Sequence, residues 1–473
     1  FTFAILSVSF LLIFSNLSLF SAHAKFIEQQ PEPFPKGFTH PLNLDFSKVL
    51  MAEPAITKNT ISQDEAHEDL SFFIYFLQNA YAAYPDRKKD YDFSAYFNRL
   101  AQLTRQQHDV NSYYMAKLIA KPFNNEIEDS HFGVFAVNEK KQAQKFVNPV
   151  WNSYLIDVKD STYSVDDCNF PEDAIIHHNQ TALLRGRGFL KNQTIVKTKK
   201  ALTEIACTNN NTFSLMQIKT PAPHKDQKNY LEEINSQKAY VRLGSFQNID
   251  KNRIEIKELG KRAKKFQELI LDLRSNGGGN FYILLFLDEI GATLPQLAVY
   301  QSEQTKSLAS KILITNIYFQ KSKFPNISSE EKIKYQKLIS ENKNQIDEII
   351  DSNNANKILN RTHEISVSTS EVNEHSLDKN ITVLTDNYCM SACEYATSLM
   401  KKFSAQNVKV IGQSTAGVFE GTGDSARLIL PNSKLIINIP ISLYFAEPNR
   451  QYGKPDGVDP HIWTDADILP LLK

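Results

Sequence analysis

Three patterns in the sequence predict an α/β fold: an N-terminal helical domain, a β-rich middle segment and a β-α-β core on a largely parallel sheet. From about Asp64 to Phe123, apolar residues recur at three and four positions, the spacing of one helix face. From about 132 to 225, short alternating apolar runs are separated by Asp, Asn and Pro clusters, as half-buried strands are. From about Leu231 onwards, buried strands alternate with amphipathic helices, which is how parallel sheets are wound. A chain of 473 residues has room for about three such units.

The elements follow in order. Residues 3–20 are nearly all apolar and end at Ser21-Ala22-His23-Ala24, an A-x-A-like cleavage site, so residues 1–24 are expected to be a signal peptide. Asn16 and Ser18 interrupt the run, which disfavours a membrane anchor. The mature chain is then expected to start near Lys25 and to be periplasmic or secreted. Residues 25–60 carry Pro31, Pro33, Pro35 and Pro41 and read as a linker or arm. Residues 61–131 form the helical domain, where Leu70, Phe73, Ile74, Leu77, Ala80 and Tyr81 make a core stripe. Residues 132–228 are the β-rich segment, with strands expected at Trp151 to Val158, Ala182 to Leu190 and Thr212 to Ile218, and with His177-His178 in a surface turn.

Residues 229–473 form the core. Strands are expected at Ala239 to Leu243, Leu269 to Leu273, Ile381 to Leu384 and Val408 to Ile411, with helices at Ile256 to Phe266, Tyr282 to Ile290 and Ala392 to Phe403. An insertion at about 303–378, helical over Ser329 to Ile350, reads as a solvated face or as a lid.

Lys plus Arg and Asp plus Glu are equal at 53 each, so no net field draws the chain to nucleic acid. The four cysteines, Cys168, Cys207, Cys389 and Cys393, are compatible with export, and three pairings are open. Cys168 and Cys207 bracket one strand-rich segment. Cys389 and Cys393 read as reduced and buried, or as a disulfide under redox control. No C-x-x-C or nearby histidine pair points to zinc.

Glycine is scarce at 16 residues, yet Gly277, Gly278 and Gly279 stand together after a buried strand. Three residues without Cβ let backbone N–H groups turn toward a substrate carbonyl. A second strand leads through Asp386-Asn387-Tyr388 to Ser391, which precedes an apolar helix. A serine there has the free N–H of Ala392 and the positive end of the helix dipole beside it. A nucleophile and backbone donors are the parts needed for acyl transfer. No Gly-Lys-Ser/Thr follows the glycines, which disfavours a phosphate loop.

Leu271-Asp272-Leu273-Arg274-Ser275-Asn276-Gly277-Gly278-Gly279, followed by Ser391-Ala392-Cys393-Glu394, resembles the tail-specific or C-terminal-processing serine proteases and their tricorn-core relatives. Tyr240-Val241-Arg242-Leu243, Val410 to Gly417, Leu430 to Ser433, Gly457-Val458-Asp459-Pro460 and Asp129-Ser130-His131 extend the resemblance. It implies a ClpP/crotonase-like core, Ser391 as nucleophile, an oxyanion hole from Gly277, Gly278 and Ala392, a polypeptide substrate and no metal or organic cofactor. It also shows departures. Where the processing proteases carry a lysine base, this chain has Val418. Where the tricorn-like branch carries histidine and glutamate, it has Arg242 and Lys454.

A serine hydroxyl still needs a base to take its proton. His131, oriented by Asp129, is the first candidate and Lys454 the second, with Asp456 and Glu420 as further carboxylates. The β-rich segment occupies the position of a PDZ domain in many relatives and shows no carboxylate-binding loop of that type. The expected function is an exported serine endopeptidase; the alternative is a protease-like binding protein for a peptide or apolar ligand.

Overall fold

The computed structural model describes residues 23–29, 33–106, 109–127, 129, 131–139, 143–145, 152–156, 168–170, 174–184, 188–198, 202, 204–206, 212–218, 227–247, 249–292, 301–323, 327–352, 355–359, 361–367, 377–401, 403, 406–417, 421–445, 457–464 and 469–472. Most of the expected signal peptide, residues 1–22, lies outside them. His23–Gln29 is a strand paired antiparallel with Arg361–Val367.

The core is one run of β-α-β units: β1 (Asn229–Glu233), β2 (Lys238–Leu243), α1 (Ile249–Ala263), β3 (Glu268–Asp272), α2 (Ile283–Glu289), β4 (Asn380–Thr385), α3 (Ala392–Lys401), β5 (Val408–Gly412) and β6 (Ile462–Thr464). Strands β2 to β6 pair in parallel in that order, and β1 closes one edge antiparallel to β2. Both sheet faces are covered, which is why these strands read as apolar runs. Ala239, Val241, Leu269, Leu271 and Val383 pack against α1, α2 and α3. Tyr240, Ile270, Leu384 and Ile411 pack on the other face with the C-terminal Leu469 and Leu472.

The sheet does not stop at β6. Trp463 and Thr464 pair in parallel with Ala182 and Leu183, so the β-rich segment continues the same eleven-stranded sheet through Ile175–Leu184, Gly188–Thr198, Asn152–Ile156, Thr212–Ile218 and Glu204–Ala206. The expected strand at Ala182 to Leu190 is instead two paired strands on either side of 185–187. His177 and His178 lie within the first of these, not in a turn.

A second, antiparallel sheet orders His23–Gln29, Arg361–Val367, Gln301–Lys306, Ile436–Phe445, Gly133–Val137 and Ala143–Lys145, with Gly421–Ile429 paired to Ile436–Phe445. The N-terminal helices pack here. Helix Gln63–Ala80 starts at a capping box made by Ser62 and Glu65. Its expected stripe is buried, but Phe72, Tyr75 and Phe76 are buried as well, so the helix is core on more than one side. Helices Phe93–Gln106 and Leu308–Ser322 and strand Ile436–Phe445 contribute to the same cluster. The insertion therefore splits by function. Helix Leu308–Ser322 is core, whereas Ser329–Asp351 buries only Tyr335 and Ile346 and presents the charged face expected of it. Among the described residues no helix is long and apolar enough to cross a membrane.

Candidate active site

The C-terminal ends of β3 and β4 hold the two signals read from sequence, and hydrogen bonds tie them together. Asp386, just past β4, accepts from the Ser275 N–H at 2.8 Å and the Ser275 hydroxyl at 3.0 Å. The Met390 N–H donates to the Asn276 carbonyl at 3.0 Å, and the Asn276 side chain donates to the Leu243 carbonyl at 2.9 Å. The glycine loop is thereby fixed against the segment that carries Ser391.

Gly278 shows how close the approach is. With φ at 83°, a Cβ on it would lie 2.4 Å from the Met390 carbonyl oxygen and 3.0 Å from Ser391 Cβ. Gly279, at φ 135°, would place a Cβ 2.2 Å from the Phe246 carbonyl oxygen. Only glycine fits either position.

Ser391 itself has a φ of 55°, a left-handed conformation that costs a non-glycine residue roughly 1–2 kcal/mol. The backbone is held there by Glu394, whose Oε2 accepts the Ser391 N–H at 3.1 Å. Ser391-x-x-Glu394 is half of a capping box. In the full box the serine oxygen would cap the helix. Here, among the described residues, no hydrogen bond engages Ser391 Oγ, which leaves it available for chemistry. The other Glu394 oxygen accepts from the Thr415 hydroxyl at 2.7 Å and the Gly417 N–H at 2.6 Å. Glu394 is thus a buried acceptor for three donors.

Of the three expected oxyanion donors, the Gly278 N–H already donates to Asn276 Oδ1 at 2.9 Å. Among the described residues the N–H groups of Gly277 and Ala392 meet no acceptor, and both adjoin Ser391 through Gly278 and the start of α3.

Below the glycine loop lies a buried ion cluster. Asp272 accepts from Arg274 at 2.8 Å, Arg242 at 3.2 Å and the Tyr240 hydroxyl at 2.8 Å. Burial pushes the Asp272 carboxyl up, but the two guanidinium groups outweigh it and hold the pKa below the usual carboxylate range. Burial raises Asp386, against the Ser275 and Tyr388 hydrogen bonds that lower it. Arg242 donates to both the Asp272 carboxylate and the Asp272 carbonyl, each at 3.2 Å.

His131 precedes strand Gly133–Val137, with its N–H donating to Asp129 Oδ1 at 3.0 Å and its carbonyl accepting from the Ser425 hydroxyl at 2.8 Å. Asp129 also accepts from the Tyr81 hydroxyl at 2.7 Å. None of the hydrogen bonds among the described residues joins His131 to Ser391. Val418, Glu420, Lys454 and Asp456 lie outside the described residues.

The structure corrects the reading of Cys389 and Cys393 as reduced. They form a disulfide across Ser391, with Cα atoms 5.3 Å apart. Cys168 is also disulfide-bonded, and Cys207 lies outside the described residues. Among the described residues no group of His, Cys, Asp and Glu is arranged to hold a metal ion.

Sequence reasoning assigned no role to Glu394 or Asp386. The Ser-x-x-Glu spacing was the available signal for the first; for Asp386 the signal was its position at a strand end.

Residues 237–464 match the model of "Peptidase family S41". No curated protein matches the chain. Among solved structures, mature CPAF is similar at 14% identity over 86% of this chain and 94% of its own, with a TM-score of 0.42. The photosystem II D1 C-terminal processing protease is similar at 11% identity over 85% and 94%, with a TM-score of 0.36. A lipoprotein from Streptococcus agalactiae follows at 15% identity over 52% and 67%, with a TM-score of 0.27.

Proposed function

We propose, from the match of residues 237–464 to the model of peptidase family S41, that this chain is an exported serine endopeptidase of the tail-specific kind, acting through a Ser391 acyl-enzyme. The observation that carries this reading is the state of Ser391. Its backbone is held in a left-handed turn by Glu394, its hydroxyl is uncommitted among the described residues, and Gly278 abuts its Cβ.

In the proposed reaction, Ser391 Oγ attacks the scissile carbonyl carbon and the hydroxyl proton passes to a base. The Gly277 and Ala392 N–H groups donate to the oxyanion; each such donor is worth about two to three powers of ten in turnover. Collapse breaks the C–N bond, the base returns its proton to the leaving amine, and water then releases the acyl group by the same steps in reverse. His131 is the base we favour, because Asp129 fixes its backbone and histidine is suited to proton transfer near neutral pH.

Export is supported by the apolar run at residues 3–20 and by disulfide bonding, which persists in oxidising compartments. Val418, standing where processing relatives carry lysine, favours a second reading: a protease-like protein that binds a peptide or apolar ligand without cleaving it.

The test is fluorophosphonate labelling combined with peptide turnover. Wild type is expected to label and cleave, Ser391→Ala to do neither while keeping its fold, and His131→Gln to lose turnover. Labelling of Ser391→Ala equal to wild type would sink the proposal. A folded wild type that binds peptides without releasing product would decide for the second reading.

A further inference from the structure

Lys197 is an unusual residue for a strand in the β-rich segment. It lies in Gly188–Thr198, its side chain is 0% exposed, and it sits far from the glycine and serine motifs in sequence. A buried ammonium has three donors, no acceptor and a large desolvation cost, so its partners decide what it does. Its Nζ donates to Ser414 Oγ at 2.8 Å and lies 3.3 Å from Asp459 Oδ1.

Ser414 belongs to the loop that holds Glu394, and Asp459 to the segment hydrogen-bonded to that loop. Ser414 is followed by Thr415, whose hydroxyl donates to Glu394 Oε1 and whose N–H donates to the Val458 carbonyl at 3.1 Å. Val458 returns an N–H to Thr415 Oγ1 at 2.7 Å. Ala416 donates its N–H to the Cys389 carbonyl at 3.0 Å, which fixes the other side of the nucleophile turn. The Lys401 ammonium, from the last turn of α3, donates to the Asp459 carbonyl at 2.7 Å. Lys197 is therefore joined to the Ser391 backbone through Ser414, Thr415 and Glu394, and it pins the 414–417 and 457–459 segments together from the strand side.

We propose that Lys197 is a positioning residue for Ser391: by anchoring Ser414 and Asp459 it keeps Thr415 and Gly417 on Glu394, and Glu394 keeps the nucleophile turn in its left-handed form. This rests on the peptidase reading above for its kinetic consequence, but not for its structural one. The β-rich segment, on this view, is part of the catalytic apparatus through one side chain.

The experiment uses the full chain with Lys197→Met, Lys197→Arg and Ser414→Ala. Four quantities are measured: the fluorophosphonate labelling rate, kcat per labelled site, KM, and amide hydrogen exchange of residues 389–394 and 413–417. Lys197→Met is expected to slow labelling and kcat by about tenfold to a hundredfold, the scale of a misplaced reacting group. KM should move by less than about threefold, since ground-state binding is untouched. Exchange in both segments should rise, and Lys197→Arg should recover most of the rate. Ser414→Ala should act in the same direction while leaving Lys197 paired with Asp459, so it decides the matter where Lys197→Met does not fold. A merely structural lysine would lower the melting temperature and leave kcat per labelled site unchanged; that result, or wild-type exchange at 389–394 in folded Lys197→Met or Ser414→Ala, overturns the proposal. A wild type that never labels refutes the peptidase reading instead, and the exchange data still test the linkage.

Discussion

Glu394 grips the Ser391 backbone N–H at 3.1 Å with one carboxylate oxygen and the Thr415 and Gly417 donors with the other. The Ser391 turn and the loop after β5 thus share a single buried acceptor. Glu394→Gln tests that sharing directly. The amide offers one oxygen where the carboxylate offers two, so at least one buried donor faces an NH2 group. Leaving a buried donor unpaired costs about 1–3 kcal/mol. The expected outcome is a lower denaturation midpoint together with slower fluorophosphonate labelling of Ser391; labelling at the wild-type rate would show that Glu394 does not set the turn.

Two glycines with nearly the same φ separate conformational strain from close approach. Gly278 (φ 83°) and Gly291 (φ 82°) both pay the left-handed penalty on substitution by alanine, about 1–2 kcal/mol. A Cβ at Gly278 also strikes the Met390 carbonyl oxygen at 2.4 Å, whereas at Gly291 it meets nothing within 4 Å. Gly278→Ala should therefore abolish labelling, and Gly291→Ala should label normally with a small loss of stability. Equal labelling in the two variants would remove the case for a fitted contact at Ser391.

These contrasts also explain what the sequence disclosed. Strands β2 to β5 were legible because a parallel sheet covered on both faces needs apolar runs, and Gly277 to Gly279 because three adjacent glycines are rare in this chain. Ser391 was legible from its position between a strand and an apolar helix. Lys197 was not, since a lysine in a strand ordinarily faces water; its burial depends on Ser414 and Asp459, 217 and 262 residues away. The continuation of the core sheet into the β-rich segment was hidden for the same reason. It depends on Trp463 and Thr464 pairing with residues some 280 positions earlier, a register that local periodicity does not encode.

Redox control of Ser391 is answered by accessibility. Thiol–disulfide exchange requires a thiolate to reach a sulfur atom. Cys389 and Cys393 are both 0% exposed, so a mild reductant has no path to their bond in the native protein. Thiol titration of the native protein should find no free cysteine, in keeping with the absence of free thiols among the described residues. After denaturation with reductant all four cysteines should titrate. Labelling of Ser391 with and without reductant should agree within about twofold, because a buried disulfide is shielded from attack. A reductant-dependent rate in the folded protein would revive the switch.

Asp69 supplies the clearest pH signature. It lies in helix Gln63–Ala80, fully buried, and accepts the N–H groups of Asn432 at 2.9 Å and Ser433 at 2.8 Å in the turn before strand Ile436–Phe445. Burial pushes its pKa from the ordinary 3.8 up to about 6, against the Ser433 and Asn432 hydrogen bonds that pull it down. Between about pH 4 and pH 6 the native state therefore holds a proton that the unfolded chain has released. Stability from this group is full below the unfolded pKa and is lost as pH rises through the native one, by about 3 kcal/mol at most. Asp69→Asn removes the titration and leaves one backbone N–H facing the amide nitrogen. Its urea midpoint should be lower than that of wild type at pH 4, and its decline from pH 4 to pH 6 should be shallower. Parallel declines in the two proteins would show that Asp69 titrates alike in the folded and unfolded chains, and that the contact between the helix and the 432–433 turn is held without a proton.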